Sequence, residues 1–275
     1  MDSPIDLNIV LPSQILKPQV HSILVMEATE GSMTDWEKVV PYGQGALVFH
    51  YADPYSIKYQ PEGPVEELPP VFSAGLTLKP LWIKPSGVTR TIIVNLHPST
   101  LWKMLKIDMK AQDGRIIDLH PFYSDALTEC LYRLKESQSD SGKAFIIENF
   151  LIETAKLPEF EVDIVDTAIE KIDQADGIIN INLLSQSLNV SVSKLERHFR
   201  KKIGMTPKTY SSIFRFNKVF RFMNENPGID IHDVLYLCGY YDQPHFIRDF
   251  NRYAGETPRS FFLKANAAVD VFSGK

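Results

Sequence analysis

The sequence predicts an α+β chain in two domains. Residues 1–158 form a β-rich domain, an antiparallel sandwich or barrel with helices at its C-terminal end, and residues 159–275 an all-α domain of two helix-turn-helix units joined by a long helix. Three observations predict this. The first is a repeat: Leu195, Arg197, Phe199, Gly204, Thr206, Pro207, Lys208 and Tyr210 recur 51 positions on as Phe246, Arg248, Phe250, Gly255, Thr257, Pro258, Arg259 and Phe261. Upstream the offset is 50, pairing Ile181 with Ile231, Leu184 with Val234 and Leu188 with Cys238. A period of this length marks a duplicated supersecondary unit, here helix, tight turn, second helix and a Gly-x-Thr-Pro exit. The second is a change of hydrophobic period near Pro98, from strand-like to helical. The third is charge: residues 190–264 hold 13 basic and 7 acidic side chains, while residues 1–189 hold 15 and 26. An acidic module is therefore joined to a basic, polyanion-facing one, although the whole chain carries a net charge of -5.

Composition narrows the class further. With 44% hydrophobic and 11% aromatic residues in 275, the chain can bury two cores. No stretch nears the ~20 apolar residues of a membrane span. The start, MDSPIDLNIVLPSQ, lacks the basic-then-apolar pattern of a signal peptide. Cys130 and Cys238 read as reduced core residues, so a cytoplasmic location is expected.

The elements follow in order. ALVFHYAD, SIKYQ, PPVFSAGLTLKPLWIKPSG and VTRTIIVNL carry strand signals punctuated by Pro and Gly. Ile92, Val94 and Leu96 can face one core, while Ile93 interrupts the polar alternation and predicts a partly covered second face. Pro80 and Pro85 suit strand ends or edges. Ser99 or Thr100 can cap a short helix through Leu101, Trp102 and Leu105. Residues 125–136 and 143–156 show helical faces of Leu127, Leu131 and Leu134, then Ile146, Ile147, Phe150 and Leu151, with SQSDSG between them as a loop. These faces either form a dimer contact or pack across the sheet. Past a boundary around Pro158, helices are expected near 162–174, 181–188, 192–203, 208–225, 231–238, 243–253 and 259–267. Ser191 and Asp242 stand at N-cap positions, Pro207 and Pro258 in first turns, and Gly204 and Gly255 at left-handed helix ends.

These strings carry a resemblance. Residues 162–264 are similar to the DNA-binding domain of the AraC/XylS transcription regulators, through LNVSVSKLERHFRKKIGMTPKTY, the helix around Arg215–Phe222 and above all GYYDQPHFIRDFNRYAGETP. VPYGQGALVFHY, PPVFSAGLTLKP and TIIVNLHPSTLWKML resemble, more loosely, the β-rich sensor domain of one branch of that family, which implies a cupin-like fold for the first domain. The sequence departs from the family at Leu235, large where a small residue is usual, at Val219 for a common alanine, and at Asn189 for the turn glycine. Leu235 predicts an altered helix spacing in the second unit. Asn189 can adopt the left-handed conformation at modest cost.

Base edges are read from the exposed N-terminal face of a helix in the major groove. On those faces stand Ser193, Glu196 and Arg197 in the first unit, and Gln243, Pro244 and Arg248 in the second. They also match base-contacting positions of the family. Lys194, Arg200, Lys201, Lys208, Arg252 and Arg259 flank them as phosphate contacts. For Arg197 and Arg248 an intradomain salt bridge is the competing role. Leu195, Phe199, Phe246 and Phe250 belong to the core by their spacing of four.

The function implied is sequence-specific regulation of transcription through two consecutive major grooves. The implied partner is double-stranded DNA, with RNA polymerase if the protein activates. A small-molecule effector and a homodimer are further candidates. No membrane partner, cofactor or metal is expected, and no enzymatic activity. The β-rich half lacks H-x-H with a following Glu, and the chain has no G-x-S-x-G, Walker A or dinucleotide fingerprint. His50 and His97 read as packed or surface histidines. Trp36, Trp82 and Trp102 read as core or as the wall of an effector pocket. Two alternatives stay open: a ligand-binding or interaction protein with a degenerate DNA-binding half, and a cupin-like enzyme tethered to a DNA-binding domain.

Overall fold

The computed structural model describes residues 5–28, 31, 35–112, 114–225 and 231–263. Among the described residues, the N-terminal part holds two antiparallel sheets. The larger contains β1 (Ile5–Val10), β2 (Val20–Ala28), β4 (Gly45–His50), β7 (Val71–Ala74), β9 (Thr89–Leu96) and β10 (Ile116–Asp118), in the order β1-β2-β9-β4-β7-β10. The smaller contains β3 (Glu37–Val39), β5 (Tyr55–Lys58), β6 (Glu66–Glu67) and β8 (Leu81–Pro85), in the order β3-β8-β5-β6. Pro85 ends its strand, as a residue without an amide donor should.

Successive side chains of a strand point to opposite faces, and both faces of the large sheet are covered. Ile23, Val25, Leu47, Phe49, Ile92, Val94 and Leu96 join a core with the following helices. Leu24, Met26, Val48, Phe72 and Ile93 meet Tyr55, Ile57 and Leu81 of the small sheet. Ile93 interrupts the alternation because its face is a second core. The same burial explains why β2 escapes a period-of-two reading: VHSILVMEA is apolar on both sides. The edge strands β1 and β10 also escaped it.

The helices are α1 (Thr100–Leu105), α2 (Met109–Gln112), α3 (His120–Glu136) and α4 (Asp140–Asn149), with α4 running into a π-helical turn over Phe150–Thr154. Two sequence expectations change here. Ser99 precedes α1 but makes no side-chain cap bond; its hydroxyl donates to Asp166 instead. α4 starts inside the segment expected as a loop, because the Ser139 hydroxyl caps it by accepting from the Gly142 N–H at 3.2 Å. Leu127, Cys130, Leu134, Ile146, Ile147, Phe150 and Leu151 are buried against the large sheet, so these apolar faces are taken up within the chain. Burial pushes the Cys130 thiol up to about 12, leaving it unreactive.

Among the described residues the C-terminal part forms helices with no strand: α5 (Ile164–Gln174), α6 (Ile181–Ser187), α7 (Val192–Ile203), α8 (Pro207–Glu225), α9 (Ile231–Leu237), α10 (Gln243–Ala254) and α11 (Pro258–Leu263). The expected extension of the last helix to 267 lies outside the described residues. Tyr210, Ile213, Phe216 and Val219 of α8 face a core shared with Phe199, Phe246, Phe250 and Tyr253. Leu235 is accommodated in that core beside Val234 and Cys238. Leu76, Val40 and Leu78 of the β-rich part pack into the same core, so the two parts share apolar contacts.

Candidate nucleic-acid interface

The two repeats fold by the same local rules. In the first unit, Ser191 caps α7 by accepting from the Lys194 N–H at 3.2 Å. In the second, Asp242 caps α10 by accepting from the His245 N–H at 2.7 Å. Each cap satisfies a backbone donor that the first helical turn leaves free. The turn before each cap passes through a left-handed residue, Asn189 at φ 54° and Gly239 at φ 70°. After it, Val190 N–H bonds to the Ser185 carbonyl at 3.1 Å and Tyr240 N–H to the Leu235 carbonyl at 2.9 Å. The second turn then holds one more residue before its cap, Tyr241. This insertion is why the repeat offset changes from 50 to 51.

The exposed N-terminal faces of α7 and α10 carry the candidate base contacts. Ser193, Arg197, Gln243, Pro244 and Arg248 are exposed, and Glu196 is partly so. Neither Arg197 nor Arg248 forms an ion pair with any of the described residues. Glu196 pairs with Arg200 at 3.0 Å along α7. Lys194 and Lys208 are exposed. Lys201 Nζ lies 6.0 Å from the Trp102 ring, and the Arg252 guanidinium 5.5 Å from that of Tyr253. The Arg259 side chain lies outside the described residues. The face of α7 is electropositive: His198 is held below its ordinary value by partial burial and then by Lys202, Arg197 and Lys194.

Each recognition helix is held at its C-terminal end by the β-rich part. Gly204 closes α7 at φ 85° and Gly255 closes α10 at φ 71°. Both positions also admit a close neighbour. A Cβ on Gly204 would stand 3.0 Å from the Met109 carbonyl oxygen, and one on Gly255 3.0 Å from Pro80 Cγ. Beside the first contact, Lys202 donates to Asp163 and its ammonium lies 4.2 Å from the Trp102 ring centroid. Burial opposes ionisation of Asp163, but Lys202 and the Val165 N–H outweigh it and hold the carboxyl below its usual range. Beside the second, Lys38 Nζ donates to the Ala254 carbonyl at 2.9 Å and to Glu256 at 2.5 Å. The N-terminal ends of both recognition helices are left open. No sequence signal pointed to these contacts. Tyr241, 94% exposed beside the second cap, was legible only in the change of offset.

Residues 184–264 match the model of a helix-turn-helix domain family. These residues thus carry an AraC-type helix-turn-helix domain. Residues 8–118 match a family described as a domain of unknown function (DUF6597). The HTH-type transcriptional activator RhaS of Escherichia coli O1:K1 / APEC is 28% identical over 81 residues, 30% of this chain and 29% of that protein. RhaS of Shigella boydii serotype 18 is 27% identical over the same shares. The chain thus spans under a third of the length of these curated relatives. Among solved structures, ToxT from Vibrio cholerae superposes with a TM-score of 0.49 at 9% identity, over 94% of this chain and 98% of that one. The AraC-type unit is therefore matched in sequence through both helix-turn-helix copies, including the Gly-x-Thr-Pro exits. Among the described residues, no cluster of three His, Cys, Asp or Glu side chains is placed to hold a metal ion, and no helix is long and apolar enough to cross a membrane.

Proposed function

We propose that this protein is a cytoplasmic, non-enzymatic transcription regulator that reads double-stranded DNA through α7 and α10. The observation that supports this best is the pair of recognition helices with like caps, exposed N-terminal faces and unpaired arginines at equivalent positions. In this reading, Ser193, Glu196, Arg197, Gln243, Pro244 and Arg248 face base edges. Lys194, Arg200, Lys201, Lys208, Arg252 and Arg259 face phosphates. Tyr241 adds a hydroxyl donor to a phosphate at the second half-site. The β-rich domain, which we end at residue 158, senses a small-molecule effector. RNA polymerase is a partner if the protein activates.

The test is a mobility-shift assay of the full chain on genomic fragments across salt concentrations. The full chain is the right material because Leu76, Val40 and Leu78 complete the helical core. With about six phosphates neutralised, log affinity is expected to fall with log salt at a slope of about -5. A flat salt response, or no binding at low salt, overturns the reading and favours a ligand-binding protein with a degenerate DNA-binding half.

A homodimer through the outward faces of α3 and α4, where Tyr132 and Phe145 stay exposed, belongs to the same proposal. Sedimentation of the full chain checks it. A single monomeric species at high protein concentration removes the dimer and leaves DNA binding to one chain.

A further inference from the structure

Between the outer face of the small sheet and the end of α10 lies a cleft of about 820 Å3. Trp36, Trp82 and Tyr59 line it with aromatic rings, and Lys38, Lys79 and Arg252 supply cations. Its volume falls in the range of small-molecule sites, which favour domain interfaces. The lining cations are not equivalent. Lys38 is neutralised by Glu256 at 2.5 Å, and Glu256 also accepts from the Ser260 hydroxyl at 2.6 Å. Lys79 and Arg252 have no such partner: neither forms an ion pair with any of the described residues. The ring faces are already met by ammonium groups, Lys38 at 5.7 Å from the Trp82 centroid and Lys58 at 4.5 Å from that of Trp36. A cationic guest would therefore be repelled, whereas an anionic one meets two cations that form no ion pair with the described residues, beside aromatic rings.

We infer that this cleft binds an aromatic ring carrying an anionic group, packed against Trp36, Trp82 and Tyr59 with its anion toward Lys79 and Arg252. Trp102, which the sequence grouped with the other two tryptophans, sits beneath Lys202 at the first unit instead. The regulatory consequence rests on the DNA-binding reading. Arg252 is both a wall of the cleft and a candidate phosphate contact on the last turn of α10. A guest that draws its guanidinium inward takes it from DNA, so ligand and DNA weaken each other's binding by the same factor.

Calorimetric titration of the full chain with 2-naphthoate, and with the neutral 2-naphthamide, tests the inference. Saturable binding of one 2-naphthoate per chain is expected, with 2-naphthamide weaker by about tenfold, the size of one charge-assisted contact. Lys79→Ala should weaken 2-naphthoate by about tenfold and leave DNA affinity without the probe unchanged. Trp36→Ala should weaken both probes. The inference is overturned if 2-naphthoate shows no saturable binding at millimolar concentration, or binds both variants as it binds wild type. The two readings fail separately. A chain that binds 2-naphthoate but no DNA keeps the cleft and loses the regulator; one that binds DNA but not 2-naphthoate does the reverse.

Discussion

Acidification through the window from pH 6.5 to about 4 is expected to remove about 3 kcal/mol of stability from the β-rich domain through His50 alone. His50 is buried at the end of β4, stacked on Tyr55 at 4.6 Å, with Nδ1 2.8 Å from the Thr91 hydroxyl. Its Nε2 has no hydrogen-bond partner, so a proton there would be an unsolvated charge. Burial accordingly lowers its pKa to about 4, against 6.5 in the unfolded chain. Between those values the unfolded chain binds more protons than the folded one, so stability rises with pH across the window. The contribution is complete above pH 6.5 and lost as the pH falls toward 4. His97 and His21, in ring contact at 3.8 Å, are both lowered and act with the same sign. His21 stands partly in solvent, and its share is smaller. Denaturant titrations at several pH values check this, comparing wild type with His50→Asn. The variant should be less stable at neutral pH but show a shallower loss on acidification. Parallel pH profiles would mean that His50 takes up its proton without unfolding anything.

Arg197→Ala and Arg248→Ala are each expected to lower specific DNA affinity by ~1–3 kcal/mol with the fold intact. Both guanidiniums are exposed at the same place in the two repeats, two residues before a fully buried phenylalanine, Phe199 or Phe250. The inward positions are thus taken by rings, and the arginines are left to solvent or DNA. Each has a carboxylate beside it, Glu196 next to Arg197 and Asp249 next to Arg248, and Glu196 is already paired with Arg200 at 3.0 Å. The two losses should therefore be of similar size. The losses should map to half-sites one groove apart and add in the double variant, because the arginines lie on separate helices. Footprinting and quantitative shift assays at fixed salt give the comparison. Loss of binding in Arg197→Ala with none in Arg248→Ala would make the second unit structural. Wild-type affinity in both, with melting several degrees lower, would assign the arginines to intradomain packing.

The helix-turn-helix units were legible because their determinants are local. A serine or aspartate cap accepts from an N–H three residues away, and a closing glycine needs only its own positive φ. The core face repeats every three or four residues. The boundaries of α6, α7 and α10 fall within a residue of the sequence reading for that reason. Even the insertion of Tyr241 left a trace, though only as a slip of one in the repeat. The β-rich domain was legible in class but not in detail. β1, β2, β3, β6, β10 and α2 went unread, since a strand buried on both faces loses its alternation and an edge strand or a four-residue helix carries little pattern.

The sequence by itself determined where each recognition helix starts and ends, which side faces inward, and which charges remain outside. Those choices are made within a few residues and hold whatever packs beyond them. Tertiary structure alone decided that α3 and α4 spend their apolar faces on the sheet, that Met109 and Pro80 approach the two closing glycines, and that Trp36 and Trp82 meet Arg252 across a cleft. These contacts join residues 30 to more than 200 positions apart. Their free energy comes from burial and charge pairing with a partner that neither local segment encodes.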